Sequence, residues 1–460
     1  MSLSKRVKIS TGVSLLVAWE LFYYSRLFAA DDPSHLKRAL NGLGEFQVWR
    51  GFEVMLIELL VAFVIGGGLG FVLGLVTKNS SWLTDATVRF LRIGLWVPFL
   101  LFWALPVWPG KEGSRYEPII WAWIAGVTAV ALATCYHYLI VLTPSNSRID
   151  RAVARGLVRK TALLQALFIS IISQVWLWDF GWLRYSISPG HVPVTYVGFI
   201  LSLSFLWIIE RAAGPGFEDA ATLRVVVLGE QLAANRGRSL IGVICLTILT
   251  LLIWQFLSAI PRVQSIISSP VEVLQRAYGL VIRGERIPPI ETTIWYHFAI
   301  SLAELIGGLF LSVTAAVLVT LSLRSANRSR AWFFRILPFT NLVPILLPFL
   351  ALHWGVVGFW LVVAFVAFVT FFPSAQAMWA LRDKSRLCQV LMGVDDALPF
   401  AFVGLLFGGV WGTSNGLPFL ILAAQTSNRI ADGIALSLLA VVLLIAFSSI
   451  IRNVLKRCYF

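Results

Sequence analysis

"IISSPVEVLQRAYGLV", Ile266 to Val281, breaks into long apolar runs with a Ser-Ser-Pro start, a glutamate and an amphipathic turn or two. Far upstream, "DDPSHLKRALNGL", Asp31 to Leu43, repeats the arrangement: a Pro just ahead of a short helix, then Leu36, Arg38 and Ala39 in the order of Leu274, Arg276 and Ala277. The two segments lie roughly 240 residues apart, and self-similarity at a fixed spacing is the mark of an internal repeat.

Working outward from these segments, further pairs follow in the same order. Trp19 of "LLVAWELF" pairs with Trp254 of "LLIWQFL", and "VIGG" at Val64–Gly67 pairs with "LIGG" at Leu305–Gly308. Arg89 and Val97-Pro98 then pair with Arg335 and Val343-Pro344. The sequence therefore divides into a diverged first half, residues 1–238, and a second half, residues 239–460. The amphipathic segment at Ile266 is expected to lie flat at the outer membrane face.

Composition sets the environment. Of 460 residues, 58% are hydrophobic and only 13% charged, more apolar surface than a soluble domain can hide. Many runs reach about 20 residues with few charges, enough for a helix to cross a hydrocarbon core of roughly 30 Å. The expected fold is all-α and membrane-integral, with spans near 10–26, 53–76, 90–108, 118–142, 163–180, 194–210, 239–258, 296–322, 333–352, 356–380, 397–411 and 432–451. The first run, despite its basic start and "FAA", is read as a retained span because Glu20 and Arg26 interrupt it.

With the N-terminus inside, 25 of the 37 Lys and Arg residues fall on the cytoplasmic side, which places both termini there, in a cell (inner or plasma) membrane. The same bias accounts for the net charge of +14 without a nucleic-acid partner. Six helices per half preserve orientation, so the halves are expected to be parallel repeats about an axis along the membrane normal.

Chemistry-bearing motifs are few. Four scattered cysteines and five scattered histidines indicate neither a disulfide framework nor a metal site. The sole Gly-Lys, Gly110-Lys111, lacks the rest of a phosphate loop, so the chain itself is not expected to hydrolyse ATP or to be an enzyme. The "GGGLG" run at Gly66–Gly70 reads as close helix packing. Glu58 and Glu304 put charges inside spans, where they usually face a bundle interior or a polar path. Asn341, just before the Val343-Pro344 kink, is the better candidate to line such a path, because a helical Pro frees a backbone carbonyl. Pro98 is the corresponding Pro of the first half.

The second half carries, in order, Trp254, "SSPVEVLQRA" at Ser268, "SLAELIGG" from Ser301 to Gly308, "RILPFTNLVP" from Arg335 to Pro344, Phe371-Phe372-Pro373, and "GTSNGLPFLI" from Gly412 to Ile421. With these motifs it resembles the permease subunits of ATP-driven importers for nitrate, sulfonates, taurine and bicarbonate. The likeness covers most of residues 239–455. The resemblance implies a fused permease for a small anion, served by an external substrate-binding protein and by cytoplasmic ATPase subunits that carry the ATP and Mg; no cofactor is expected in this chain.

It also implies an ATPase-coupling loop in the first half, "DRAVARGLVRKTALLQ", with Asp150, Ala152, Gly156, Arg159 and Lys160. In the second half Gly393 takes the corresponding Gly position, but Leu387 stands where the family has a Glu. With five residues between Gly393 and Pro399, this segment is expected to be a short loop unable to project far into the cytoplasm. A secondary transporter of two six-helix repeats, or a non-transporting scaffold, remains as an alternative.

Overall fold

A computed structural model describes residues 46–94, 117–141, 236–260, 267–287, 290–325, 358–381, 384–412, 414–427 and 429–459, together with positions 158, 166 and 170. All regular structure among the described residues is helical. Among the described residues five helices are long and apolar enough to cross a membrane, or six if one bent pair is a single span. The predicted spans over 10–26, 194–210 and 333–352, with most of 90–108 and 163–180, lie outside the described residues.

In the first half, α1 (Phe46–Val61) runs through a π-helical turn (Ala62–Gly66) into α2 (Gly67–Lys78), then α3 (Ser81–Gly94) and α4 (Glu117–Val141) follow. Gly66 and Gly70 lie against the backbone of α4 at Val127 and Ala131, and Gly74 lies against Tyr138. Gly67 and Gly68 face open space. Small residues at one-turn spacing thus let α2 sit directly on α4, as the packing reading of this run requires. The rest of α2 turns Leu69, Val72 and Val76 outward, an apolar face suited to lipid.

The second half opens with α5 (Arg236–Ser258), which packs on α3 where Gly242 meets Ala86 and Trp82. Next come the amphipathic α6 (Pro270–Val281) and α7 (Ile294–Ser325). Ser269 caps α6 by accepting from Glu272 N–H, and Pro270 occupies its first turn, where a missing N–H costs nothing. The Trp254 indole of α5 donates to the Ser268 carbonyl at 3.0 Å, and Trp295 of α7 donates to the Val281 carbonyl. Trp254 and the Pro-led helix α6 are therefore one structural unit.

The core of this half joins α7, α8 (Phe359–Ala380), α9 (Arg386–Gly412) and α11 (Ile430–Tyr459), through Leu305, Val366, Leu398, Phe402 and Leu444. Gly308 brings α7 onto Val363 and Val366 of α8, while Gly404 and Gly408 bring α9 onto α8 at Val362, Phe365 and Val366. Helix α8 is mostly buried and α5 mostly exposed, which makes α8 central and α5 peripheral. The short α10 (Leu417–Thr426) links α9 to α11.

The segment expected to be a short loop before Pro399 is helical. Helix α9 begins at Arg386 and bends by 46° between Leu398 and Phe400, where Pro399 lacks the N–H that a straight helix would use. The charge of Asp395 within it is accommodated. Asp395 accepts from Arg452 Nε and Nη2, with contacts of 2.6 Å, and from Ser448 Oγ at 2.7 Å, so the polar turn of α9 docks on α11.

Helix α11 is tied at its other end as well. Asp432, buried in its first turn, takes Arg276 of α6 on one oxygen and Arg429 on the other, each at 2.6 Å. Twenty residues separate Asp432 from Arg452, about 30 Å of helix and so about the thickness of a hydrocarbon core. The two ion-pair clusters are spaced as the two faces of a membrane are, with α6 at one and the start of α9 at the other.

Candidate translocation site

Helix α7 begins near α6 and carries its buried polar residues on one side. His297, Ser301 and Glu304 follow one another at four- and three-residue steps, which places them on a single face. All three are buried; Glu304 has no exposed surface. Ten residues separate Ile294 from Glu304, so its carboxylate lies about 15 Å along the helix, half of the roughly 30 Å that a membrane-crossing helix must span.

Facing them is the non-helical turn between α9 and α10. Gly416 N–H donates to His297 Nδ1 at 3.0 Å, and Leu417 N–H donates to Ser301 Oγ at 2.8 Å. These bonds satisfy two backbone donors that the broken helix would otherwise leave unpaired in an apolar setting. Because Nδ1 accepts, the His297 proton is on Nε2, 2.6 Å from Thr292 Oγ1, and the ring is neutral. Phe419 stacks on the imidazole from α10.

Gly416 has φ of +94°, a region that L side chains rarely adopt. A Cβ there would also stand 2.9 Å from Ser301 Oγ and 3.5 Å from Glu304 Oε2. The turn is thus pressed close to the polar face of α7. Neither oxygen of Glu304 has a hydrogen-bond partner. About two turns further along α7, Ser312 Oγ is also buried and unpartnered.

The other expected site residues fall as follows. Glu58 is buried in α1, in a different helix packing from Glu304. Gly393 lies within α9, close under Met378 of α8, and its carbonyl accepts from Ser374 Oγ at 3.2 Å. Asp150, Ala152, Gly156, Arg159, Lys160, Pro98, Asn341 and Pro344 lie outside the described residues. His297, Ser301 and Gly416 were not singled out by their sequence, although the spacing of His297, Ser301 and Glu304 was a usable signal.

At the α6 end of α11, Arg276 bridges Asp432 and Glu285, the latter at 2.8 Å. Its bond to Asp432 holds the guanidinium pKa above the ordinary value against the opposing pull of burial, so it stays charged. This cluster is a structural clamp joining α6, the following loop and α11. No group of three or more His, Cys, Asp or Glu suited to a metal occurs among the described residues.

Among the described residues the arrangement is all-helical, with five or six helices long and apolar enough to cross a membrane and a polar, broken-helix turn packed against one of them. No family model matches the chain, and neither a curated protein nor a solved structure matches it.

Proposed function

We propose that this chain is the transmembrane permease of an ATP-driven, binding-protein-dependent importer for a small anion, with ATP hydrolysed by separate cytoplasmic subunits. The observation that carries the transport part is the turn at Gly416. Non-helical backbone at membrane depth persists only where protein buries it or where it lines a polar cavity, and discontinuous helices are how many transporters build their sites. The ATP-driven part rests on the sequence resemblance. In support, two of the motifs that carry it, "SLAELIGG" and "GTSNGLPFLI", meet through the Ser301–Leu417 bond.

A fused chain would replace a pair of identical permeases. In each half the second expected span packs on the fourth through a glycine, but not at paired positions, since the "VIGG" and "LIGG" alignment sets Gly308 against Gly67, which faces open space. Gly66 meets Val127 and Val130, and Gly308 meets Val363 and Val366. The test is to solubilise the chain from its native membrane, ask whether an ATPase subunit co-purifies, and ask whether Gly156→Asp releases it. Loss of the subunit in the variant is the expected result. Absence of any ATPase from an otherwise intact preparation would refute the ATP-driven reading. One observation favours a second reading, a secondary transporter: the unpartnered Glu304, a kind of group that ion-coupled carriers place in their pathways.

A further inference from the structure

Glu304 poses a problem of charge. It is buried, it lies about 15 Å along α7, and neither carboxyl oxygen has a partner, whereas the buried Asp395 and Asp432 each have an arginine. A bare carboxylate in such a place is far too costly to persist, so a positive charge must reach its oxygens. Among the described residues no fixed cation provides it, and His297 is neutral in its bond to Gly416 N–H.

The surroundings narrow the class of cation. One carboxylate neutralises one positive charge, and no cluster of acids or imidazoles among the described residues offers the several ligands that a divalent or transition metal takes. Oxygen is the donor at hand. Ser301 Oγ uses one lone pair for Leu417 N–H and keeps another, and it stands with Glu304 Oε2 around the space that a Gly416 side chain would fill. The N-terminus of α10 abuts the same space and favours the carboxylate's negative charge, which lets the group release its cation as well as hold it. Ser312 Oγ, about 12 Å further along α7, is the next uncommitted oxygen toward the far side.

We propose that Glu304, with Ser301, is an exchangeable site for a monovalent cation, either a proton or an alkali-metal ion, enclosed by the Gly416 turn. The site rests on the fold of the second half and not on the importer reading.

The experiment uses the full-length chain in lipid nanodiscs, without any ATPase. Dicyclohexylcarbodiimide, an apolar reagent that modifies carboxyl groups only in their protonated form, is applied across a series of pH values with sodium, potassium or choline as the salt cation. Labelled peptides are located by mass spectrometry, with Glu304→Gln to verify the assignment. Glu304 is expected to be labelled, and labelling is expected to fall as pH rises. Protection by sodium or potassium at constant pH, weakened about tenfold in Ser301→Ala, would assign the site to an alkali-metal ion. Dependence on pH with no protection by either ion would assign it to a proton. Labelling of Glu304 that ignores both pH and salt, or no labelling of Glu304 at any pH, would overturn the proposal.

Discussion

Substituting alanine at Gly66 and at its neighbour Gly67 should have opposite consequences. Both residues have ordinary right-handed helical angles, with φ of −63° and −61°, so neither needs the freedom of glycine for its backbone. They differ in what a methyl group would meet. At Gly66 it would stand 2.6 Å from the Val127 carbonyl oxygen and 3.0 Å from Val130 Cβ; at Gly67 nothing lies within 4 Å. Relief at Gly66 requires α4 to retreat by about 0.8 Å to reach ordinary contact, and overpacking of this kind costs about 1–3 kcal/mol. Alanine recovers about 1 kcal/mol of helix propensity at either position. That gain cancels between the two variants, so their difference isolates the packing term. The assay is unfolding of the purified protein in mixed micelles of rising SDS fraction, followed by circular dichroism. Gly66→Ala should unfold earlier than Gly67→Ala by the equivalent of about 1–3 kcal/mol. Coincident transitions, or an earlier one for Gly67→Ala, would refute the direct seating of α2 on α4.

Asp395→Asn leaves Arg452 without its carboxylate and should cost about 3–5 kcal/mol in the same assay, with part of the loss recovered when Arg452→Gln is added. Ser269→Ala removes the cap of α6 and should cost about 1 kcal/mol, read as faster hydrogen exchange at the Glu272 amide. Gly416→Ala forces a side chain into a strained backbone region against Ser301, at a cost of about 1–3 kcal/mol, and should speed exchange at the Leu417 amide while leaving α2 and α4 unchanged.

What could be read from sequence was what depends on local pattern. Helix α6 was visible because Ser-Ser-Pro followed by an amphipathic stretch is a local start signal, and it begins at Pro270 as that signal implies. The glycine run was visible because packing through small residues needs only one-turn spacing. The π-helical turn at Ala62–Gly66 has no such signature; it adds one residue to a turn inside an otherwise uniform apolar run. The start of α9 departs from the expected short loop because the helix runs from Arg386 through Gly393 and Asp395. Asp395 is held inside that helix by the distant Arg452, which no local window contains. The site shows the same division. Glu304 stood out as an acid in an apolar run, but the turn that faces it is more than a hundred residues away, and only the fold brings Gly416 and Leu417 to His297 and Ser301.

The proposed cation site bears on which substrate could pass. A fixed negative charge beside a path repels an anion, by roughly 1–2 kcal/mol at about 10 Å if the effective dielectric constant is near 20. That alone would slow an anion about tenfold, so a bare Glu304 and an anion path are poor neighbours. Occupancy by one monovalent cation removes the repulsion and leaves the positive end of α10 as the dominant field at the Gly416 turn. On the reading proposed here, the charge on Glu304 therefore acts as a gate on anion passage, open when the cation is bound and unfavourable when it leaves. Glu304→Gln fixes the neutral form, so it should retain anion transport while losing its dependence on pH or on the salt cation. A variant that instead abolished transport with the Leu417–Ser301 bond intact would mean that the carboxylate itself contacts the substrate, and a cationic or hydrogen-bond-donating solute would then replace the anion as the cargo the site is built to take.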